Sequence, residues 1–159
     1  MESKENVGTT FRIILPLQID PNSQIIKPIQ TKPLNLTNKK ALLVEDNDIN
    51  LEIATILLQD LGLDVSIARN GQEAVDQFKE SKLNTFDYIF MDIMMPVKDG
   101  LQATREIRAL PRNDAKSVHI LAMSANAFES DIQECLKAGM DGHIAKPITM
   151  ELLKEKLAK

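Results

Sequence analysis

Phe86-Asp87-Tyr88-Ile89-Phe90-Met91-Asp92 is an aromatic and β-branched run that closes on a carboxylate. Such a run reads as a strand buried on both faces, so the residue at its end, Asp92, is carried out to the rim of a sheet. The same grammar recurs on either side. Upstream, Ala41-Leu42-Leu43-Val44 runs into Glu45-Asp46, and Val65-Ser66-Ile67-Ala68 forms a second short strand. Downstream, His119-Ile120-Leu121-Ala122-Met123 ends at Ser124, and Gly142-His143-Ile144-Ala145 is followed by Lys146-Pro147.

Helical periodicity fills the intervals. Residues 48–61 place Ile49, Ile53, Ile56, Leu57 and Leu61 on one face, and Gly62 ends the helix. Leu51, Ala54 and Leu58 form a second apolar stripe on it, either the rest of a broad buried face or a docking surface for a helical partner. Asn70-Gly71 open a helix through Lys79 with Ala74, Val75 and Phe78 inward, and Asp99 caps one carrying Leu101, Thr104, Ile107 and Leu110. Phe128, Ile132, Cys135 and Leu136 mark a fourth helix, ended by Gly139, and residues 149–159 a last one with Leu152, Leu153 and Leu157 apolar. Five strands alternating with five helices imply an α/β domain: a parallel sheet with helices on both faces, whose chemistry lies at the carboxyl ends of the strands.

Those ends carry the polar residues. Glu45, Asp46, Asp92, Ser124 and Lys146 bring three carboxylates, a hydroxyl and an ammonium to one edge. Neighbouring carboxylates repel, and a hard divalent cation relieves the repulsion. Mg²⁺ takes oxygen ligands at roughly 2.0–2.1 Å and leaves room for waters and phosphate oxygens; Mn²⁺ is the alternative ion. Lys146 adds positive charge for a phosphoryl oxygen and Ser124 a hydrogen bond. One carboxylate can then act as nucleophile and form an acyl phosphate, and Asp92, on the central strand, is best placed for it. The methionines Met91, Met94 and Met95 read as packing rather than thioether ligands.

On these residues the chain, over residues 41–159, resembles the receiver domain of response regulators and hybrid histidine kinases, which sets the domain at 39–159. The stretches that carry the likeness are Leu43–Asn47, Phe90–Pro96 with Asp99-Gly100, Ala122–Ala125 and Gly139–Pro147. The resemblance implies a flavodoxin-like, doubly wound, five-stranded parallel sheet in the order 2-1-3-4-5. It implies that Asp92 accepts a phosphoryl group from phosphohistidine. Asp46, Asp92 and the Met94 backbone carbonyl then bind Mg²⁺, with Glu45 acting through a metal-bound water. Ser124 is the switch hydroxyl, the Ala125 amide helps hold the phosphoryl group, Lys146 pairs with its oxygens, and the Lys146-Pro147 bond is cis. The switch position three residues before the lysine, usually aromatic, is His143 here, so coupling between Ser124 and His143 is the expected readout. The implied partner is a histidine kinase or a histidine-phosphotransfer domain, with a homodimer as a further possibility. Mg²⁺-dependent self-phosphorylation and autodephosphorylation at Asp92 are expected. An aspartyl-phosphate hydrolase would need an acid where Met94 stands, and a nucleotide-binding P-loop is absent from the sequence.

The first forty residues have a different character. Phe11–Leu15 reads as a strand stopped by Pro16, and residues 18–38, with Pro21, Pro28 and Pro33, as a linker. Gly8–Leu17 resembles the last glycine box and final strand of a histidine-kinase ATPase domain, making 1–17 a remnant of one. The layout is that of the C-terminal piece of a hybrid histidine kinase, with neither ATP binding nor histidine autophosphorylation expected of it. Residues 41–159 hold 13 Lys/Arg against 20 acids within a chain of net charge −4, which argues against a nucleic-acid partner. A single cysteine, Cys135, fits a reducing cytoplasm, and no apolar run approaches the ~18 residues of a membrane span, so no membrane contact is expected.

Overall fold

The computed structural model describes residues 2–4, 8–10, 12, 34, 36–125 and 128–158, in two compact units, 1–30 and 31–159. In the first unit Glu2–Lys4 pairs antiparallel with Gly8–Thr10. Gly8 and Thr9 are therefore strand residues. The strand expected over Phe11–Leu15 lies outside the described residues, except Arg12, which has no regular structure; most of the linker 18–38 lies outside them too.

In the second unit β1 (Lys40–Val44), α1 (Asp48–Asp60), β2 (Asp64–Ala68), α2 (Gly71–Glu80), β3 (Tyr88–Asp92), α3 (Gly100–Ala109), β4 (His119–Ser124), α4 (Glu129–Ala138), β5 (Gly142–Ala145) and α5 (Met150–Leu157) follow one another. The five strands form one parallel sheet in the order β2-β1-β3-β4-β5. A 3-10 turn at Asn113–Lys116, which the sequence reading does not anticipate, leads into β4.

Alternation along the buried strands divides the core into two layers. Leu42, Val44, Ile89, Met91, Ile120 and Ala122 face the layer built by α2, α3 and α4, through Phe78, Ile107 and Cys135 among others. Ala41, Leu43, Phe90, Leu121, Met123 and Ile144 face α1 and α5, through Leu51, Leu58, Leu153 and Leu157. Leu36, with Leu34 beside it, packs into this second layer, and its N–H donates to the Leu61 carbonyl at 3.1 Å. Apolar contact with the sheet thus begins within the stretch read as linker.

Side-chain oxygens of Asn47, Asn70, Asp99 and Thr149 cap α1, α2, α3 and α5, and Gly62 (φ 92°) and Gly139 (φ 99°) supply the left-handed residues after α1 and α4. Among the described residues no helix is long and apolar enough to cross a membrane.

Helix α1 departs in part from the expectation: Leu57 and Leu61 of the first face pack into the core, but its isoleucines do not. Leu51, Ala54 and Leu58 are its buried residues, whereas Ile49, Ile53 and Ile56 are 69%, 49% and 52% exposed. The docking alternative for Leu51, Ala54 and Leu58 is thereby overturned. Both stripes are apolar, so periodicity alone leaves the phase of the helix open. The sheet sets it: Leu51 and Leu58 join the layer containing Leu43 and Phe90. The unburied stripe is the isoleucine one.

The loop before β4 is fastened by an ion pair. The Arg112 guanidinium holds both oxygens of Asp114 at 2.7 Å, donates to carbonyls at the end of α2 (Phe78, Ser81 and Lys82), and lies 4.5 Å over the Phe78 ring. Asp114, 4% exposed, also accepts from the Asn84 N–H. Arg112 beside it, reinforced by that N–H, holds its carboxyl down from the ordinary 3.8 to about 2. A depressed carboxyl stabilises the fold above its unfolded pKa, and the contribution, about 2 kcal/mol, is lost as pH falls from about 4 through about 2. Arg112→Ala should cost about 3 kcal/mol at neutral pH by stranding that buried carboxylate. Urea titrations at neutral pH and at about pH 3 should show the gap between variant and parent narrowing in acid.

Candidate active site

The register brings the polar strand ends level. Val44 lies opposite Met91, so the next residues, Glu45 and Asp92, leave the sheet side by side. Asp92 pairs with Met123, Ser124 follows, and Ala145 opposite Ser124 sets Lys146 one step beyond. The Lys146 backbone N–H donates to the Ser124 carbonyl at 2.8 Å, and the Lys146-Pro147 peptide is cis.

The ammonium of Lys146 bridges two carboxylates, 2.6 Å from Glu45 Oε2 and 2.8 Å from Asp92 Oδ2. Glu45 and Asp92 are 1% and 5% exposed, while Asp46 is open to solvent. One oxygen from each of Glu45, Asp46 and Asp92 lies within 4.8 Å of the others. Three hard oxygen donors around one point, with one side open, suit a Mg²⁺-type ion that keeps waters. The chemistry of the donor set therefore fits the implied metal.

Burial pushes the Asp92 carboxyl up; Lys146 opposes this with a hydrogen bond and its charge, Glu45 adds to it, and the net direction is upward. For Lys146 burial acts downward, but the hydrogen bonds and charges of Asp92 and Glu45 outweigh it and raise the ammonium. Lys146 is thus a fixed cation against a crowded carboxylate.

The remaining sequence-predicted residues gather around this pair. The Met94 N–H reaches Asp92 Oδ1 at 3.4 Å, a long contact, and the Met94 side chain is 79% exposed. Ser124 Oγ is 2.8 Å from His143 Nε2. Ser124, exposed Ala125, Ile93 and Met94 line a cavity of about 180 Å³ that reaches Cys135. Burial pushes the Cys135 thiol up, so it stays a neutral part of that wall. Gly100 passes so close to the site that a Cβ there would stand 2.1 Å from the Asp92 carbonyl oxygen.

The sequence reading passes over Asn50. Its amide donates to Glu45 Oε1 at 2.9 Å, the second oxygen of the carboxylate that Lys146 holds. The available signal was position: Asn50 sits three residues after the cap Asn47, one turn along the helix that opens beside Glu45-Asp46.

An acid-lined, lysine-bridged pocket at the carboxyl edge of a 2-1-3-4-5 parallel sheet defines an α/β protein of the receiver type. Residues 41–158 match the response regulator receiver domain, and the chain belongs to that family. Hybrid signal transduction histidine kinase A of Dictyostelium discoideum is 43% identical over 122 residues, 76% of this chain and 6% of that protein. The receiver domain of sensor histidine kinase PA1611 of Pseudomonas aeruginosa, solved with a magnesium ion coordinated in its active-site cleft, superposes with a TM-score of 0.67 at 39% identity, covering 75% of this chain and 93% of that one. The receiver domain of Ssk1 of Saccharomyces cerevisiae, solved with the histidine phosphotransfer protein Ypd1, gives 0.65 at 30% identity over 75% and 86%. The chain therefore spans a small part of the Dictyostelium kinase and most of the isolated receiver structures.

Proposed function

We propose that Asp92 is the phosphoacceptor of this receiver, taking its phosphoryl group from a phosphohistidine. The observation that carries the reading is the Lys146 ammonium seated between Asp92 and Glu45 beside the exposed oxygens of Asp46. Asp46, Asp92 and the Met94 carbonyl would hold Mg²⁺, with Glu45 acting through water. Magnesium is the ion of the Pseudomonas receiver, and manganese has no such support. When bound, the ion supplies positive charge that offsets the carboxylates and the phosphoryl oxygens.

An Asp92 carboxylate oxygen attacks phosphorus, the phosphorus–nitrogen bond of the donor breaks, and its electron pair leaves with the imidazole. Lys146 moves from carboxylate to phosphoryl oxygen, and the Ser124 hydroxyl and Ala125 N–H donate to the same group. Ser124 then gives up its present hydrogen bond to His143, so His143 reads out the phosphorylated state. NMR spectra with and without beryllofluoride should show His143 ring resonances shifting; an unchanged ring would rule out its role as readout. The reading as a whole is tested by incubation with Mg²⁺ and acetyl phosphate. Intact mass should rise by one phosphoryl group, mapping to Asp92, and no uptake, or uptake elsewhere, would refute it.

The exposed Ile49, Ile53 and Ile56 support a docking surface on α1. Ile53 also lines a small groove with Asn50, Lys146, Pro147 and Ile148, so the apolar stripe runs to the site's edge. A helical phosphohistidine carrier, the class of protein seen with the Ssk1 receiver, fits such a stripe. Ile53→Asp should slow transfer from a histidine-phosphotransfer protein by about tenfold or more while uptake from acetyl phosphate is unchanged. Sedimentation of the parent separates this from burial of the stripe in a homodimer.

The likeness of Gly8–Leu17 to an ATPase-domain strand, with the kinship to hybrid kinases, supports reading the chain as a piece of such a kinase: remnant 1–17, linker 18–38, receiver 39–159. His119 and His143, the two histidines, both fall within the receiver unit.

A further inference from the structure

Glu45 is 1% exposed, and each of its two oxygens has its own donor: Oε2 the Lys146 ammonium at 2.6 Å and Oε1 the Asn50 amide at 2.9 Å. The same ammonium also serves Asp92, 2.8 Å away. If Asp92 takes a phosphoryl group, Lys146 has to turn toward the new oxygens, and Glu45 keeps less of its cation. A buried carboxylate that loses its cation is costly, so Glu45 would hold Lys146 back unless the donors it keeps, a metal-bound water among them, compensate.

Asn50 is the side-chain donor this chain itself supplies to the other oxygen. It is fixed to the same corner by its own backbone, since its N–H donates to the Asn47 side chain at 3.1 Å. Its amide reaches Glu45 Oε1 from the first turn of α1, on the oxygen that Lys146 does not touch. The amide is neutral, so it satisfies Oε1 without drawing Glu45 away from the acid cluster as a second cation would.

We propose that Asn50 is a positioning residue for phosphoryl transfer. It anchors Glu45 in the metal-facing orientation and so releases Lys146 to serve the phosphoryl group on Asp92. The inference rests on the phosphoacceptor reading and deepens it. It also ties the site to the docking helix, because Asn50 lies between Ile49 and Ile53 on α1.

The test uses the whole chain and the variants Asn50→Ala, Glu45→Ala and their double. Asn50 is solvent-exposed, and alanine is the better helix former, so Asn50→Ala keeps the fold, which its melting temperature reports. Two readouts are taken: Mg²⁺ affinity by calorimetry in the absence of any phosphodonor, and the rate of mass gain at saturating and at low acetyl phosphate. Loss of a hydrogen bond to a charged group predicts about tenfold slower uptake at saturating donor and several-fold weaker Mg²⁺ binding for Asn50→Ala. In the Glu45→Ala background the same substitution should change neither, because Asn50 then has no carboxylate to hold. Parent-like behaviour of Asn50→Ala in both readouts overturns the proposal, since water at Oε1 would then serve as well. Equal losses with and without Glu45 overturn it too. A parent chain that binds Mg²⁺ and takes up no phosphoryl group refutes the phosphoacceptor reading instead, and the calorimetry still decides whether Asn50 acts through Glu45.

Discussion

Asp92→Asn should take up no phosphoryl group from acetyl phosphate or from a phosphohistidine protein, and should melt no lower than the parent in metal-free buffer. Asparagine has the same shape and keeps an oxygen within reach of Lys146, so the corner stays packed. What it lacks is an anionic oxygen able to attack phosphorus. It also removes one of three acidic side chains from a pocket in which burial and Glu45 both act against ionisation of Asp92, so metal-free stability should hold or rise. Mg²⁺ affinity should move the opposite way, falling by at least the roughly tenfold seen when a metal site loses even an outer partner. Mass spectrometry, differential scanning calorimetry and ion titration together check all three signs. Phosphoryl uptake by this variant would transfer the acceptor role elsewhere.

Gly100→Ala should be the most damaging single methyl in the second unit. The added carbon would stand 2.1 Å from the Asp92 carbonyl oxygen and 2.9 Å from Met91 Cγ. Real Cβ atoms do not approach a backbone oxygen so closely, so the first turn of α3 or the end of β3 must move. Neither yields easily: the Gly100 N–H donates to the Ile93 carbonyl at 3.0 Å, and Met91 is wholly buried. The expected loss is about 4 kcal/mol, at the far end of what overpacking produces. Because the displaced atom belongs to Asp92, one of the clustered carboxylate residues proposed to hold the ion, surviving folded protein should also bind Mg²⁺ more weakly. A melting temperature within a degree or two of the parent's, about the shift of a surface change, would show that the helix start gives way freely.

The strands and the convergence of Glu45, Asp92, Ser124 and Lys146 were legible because each strand is an apolar run closed by a polar residue, and a parallel sheet has only one carboxyl edge. Caps such as Asn70 and Asp99 were legible because their chemistry is local. The orientation of α1 was not: it carries two apolar stripes, and the choice between them depends on a sheet assembled from distant segments. Asn50 escaped for a related reason. An asparagine early in a helix reads as solvated until Glu45 is seen at 2.9 Å. The Arg112–Asp114 fastening also needs the end of α2 to be in place, and nothing local marks those carbonyls as acceptors.

The bridge from Lys146 to Glu45 joins residues 101 positions apart, and every neighbour in this sheet is reached by a crossover rather than a hairpin. Pairings so remote in sequence pay loop-closure entropy before they return any contact energy, which places this topology among the slower folders of its size. During synthesis the acid pair leaves the ribosome long before the lysine does. A nascent or truncated chain lacking β5 and the residue after it therefore has carboxylates but no Lys146 ammonium among them, and the cluster is completed only once that last segment is made.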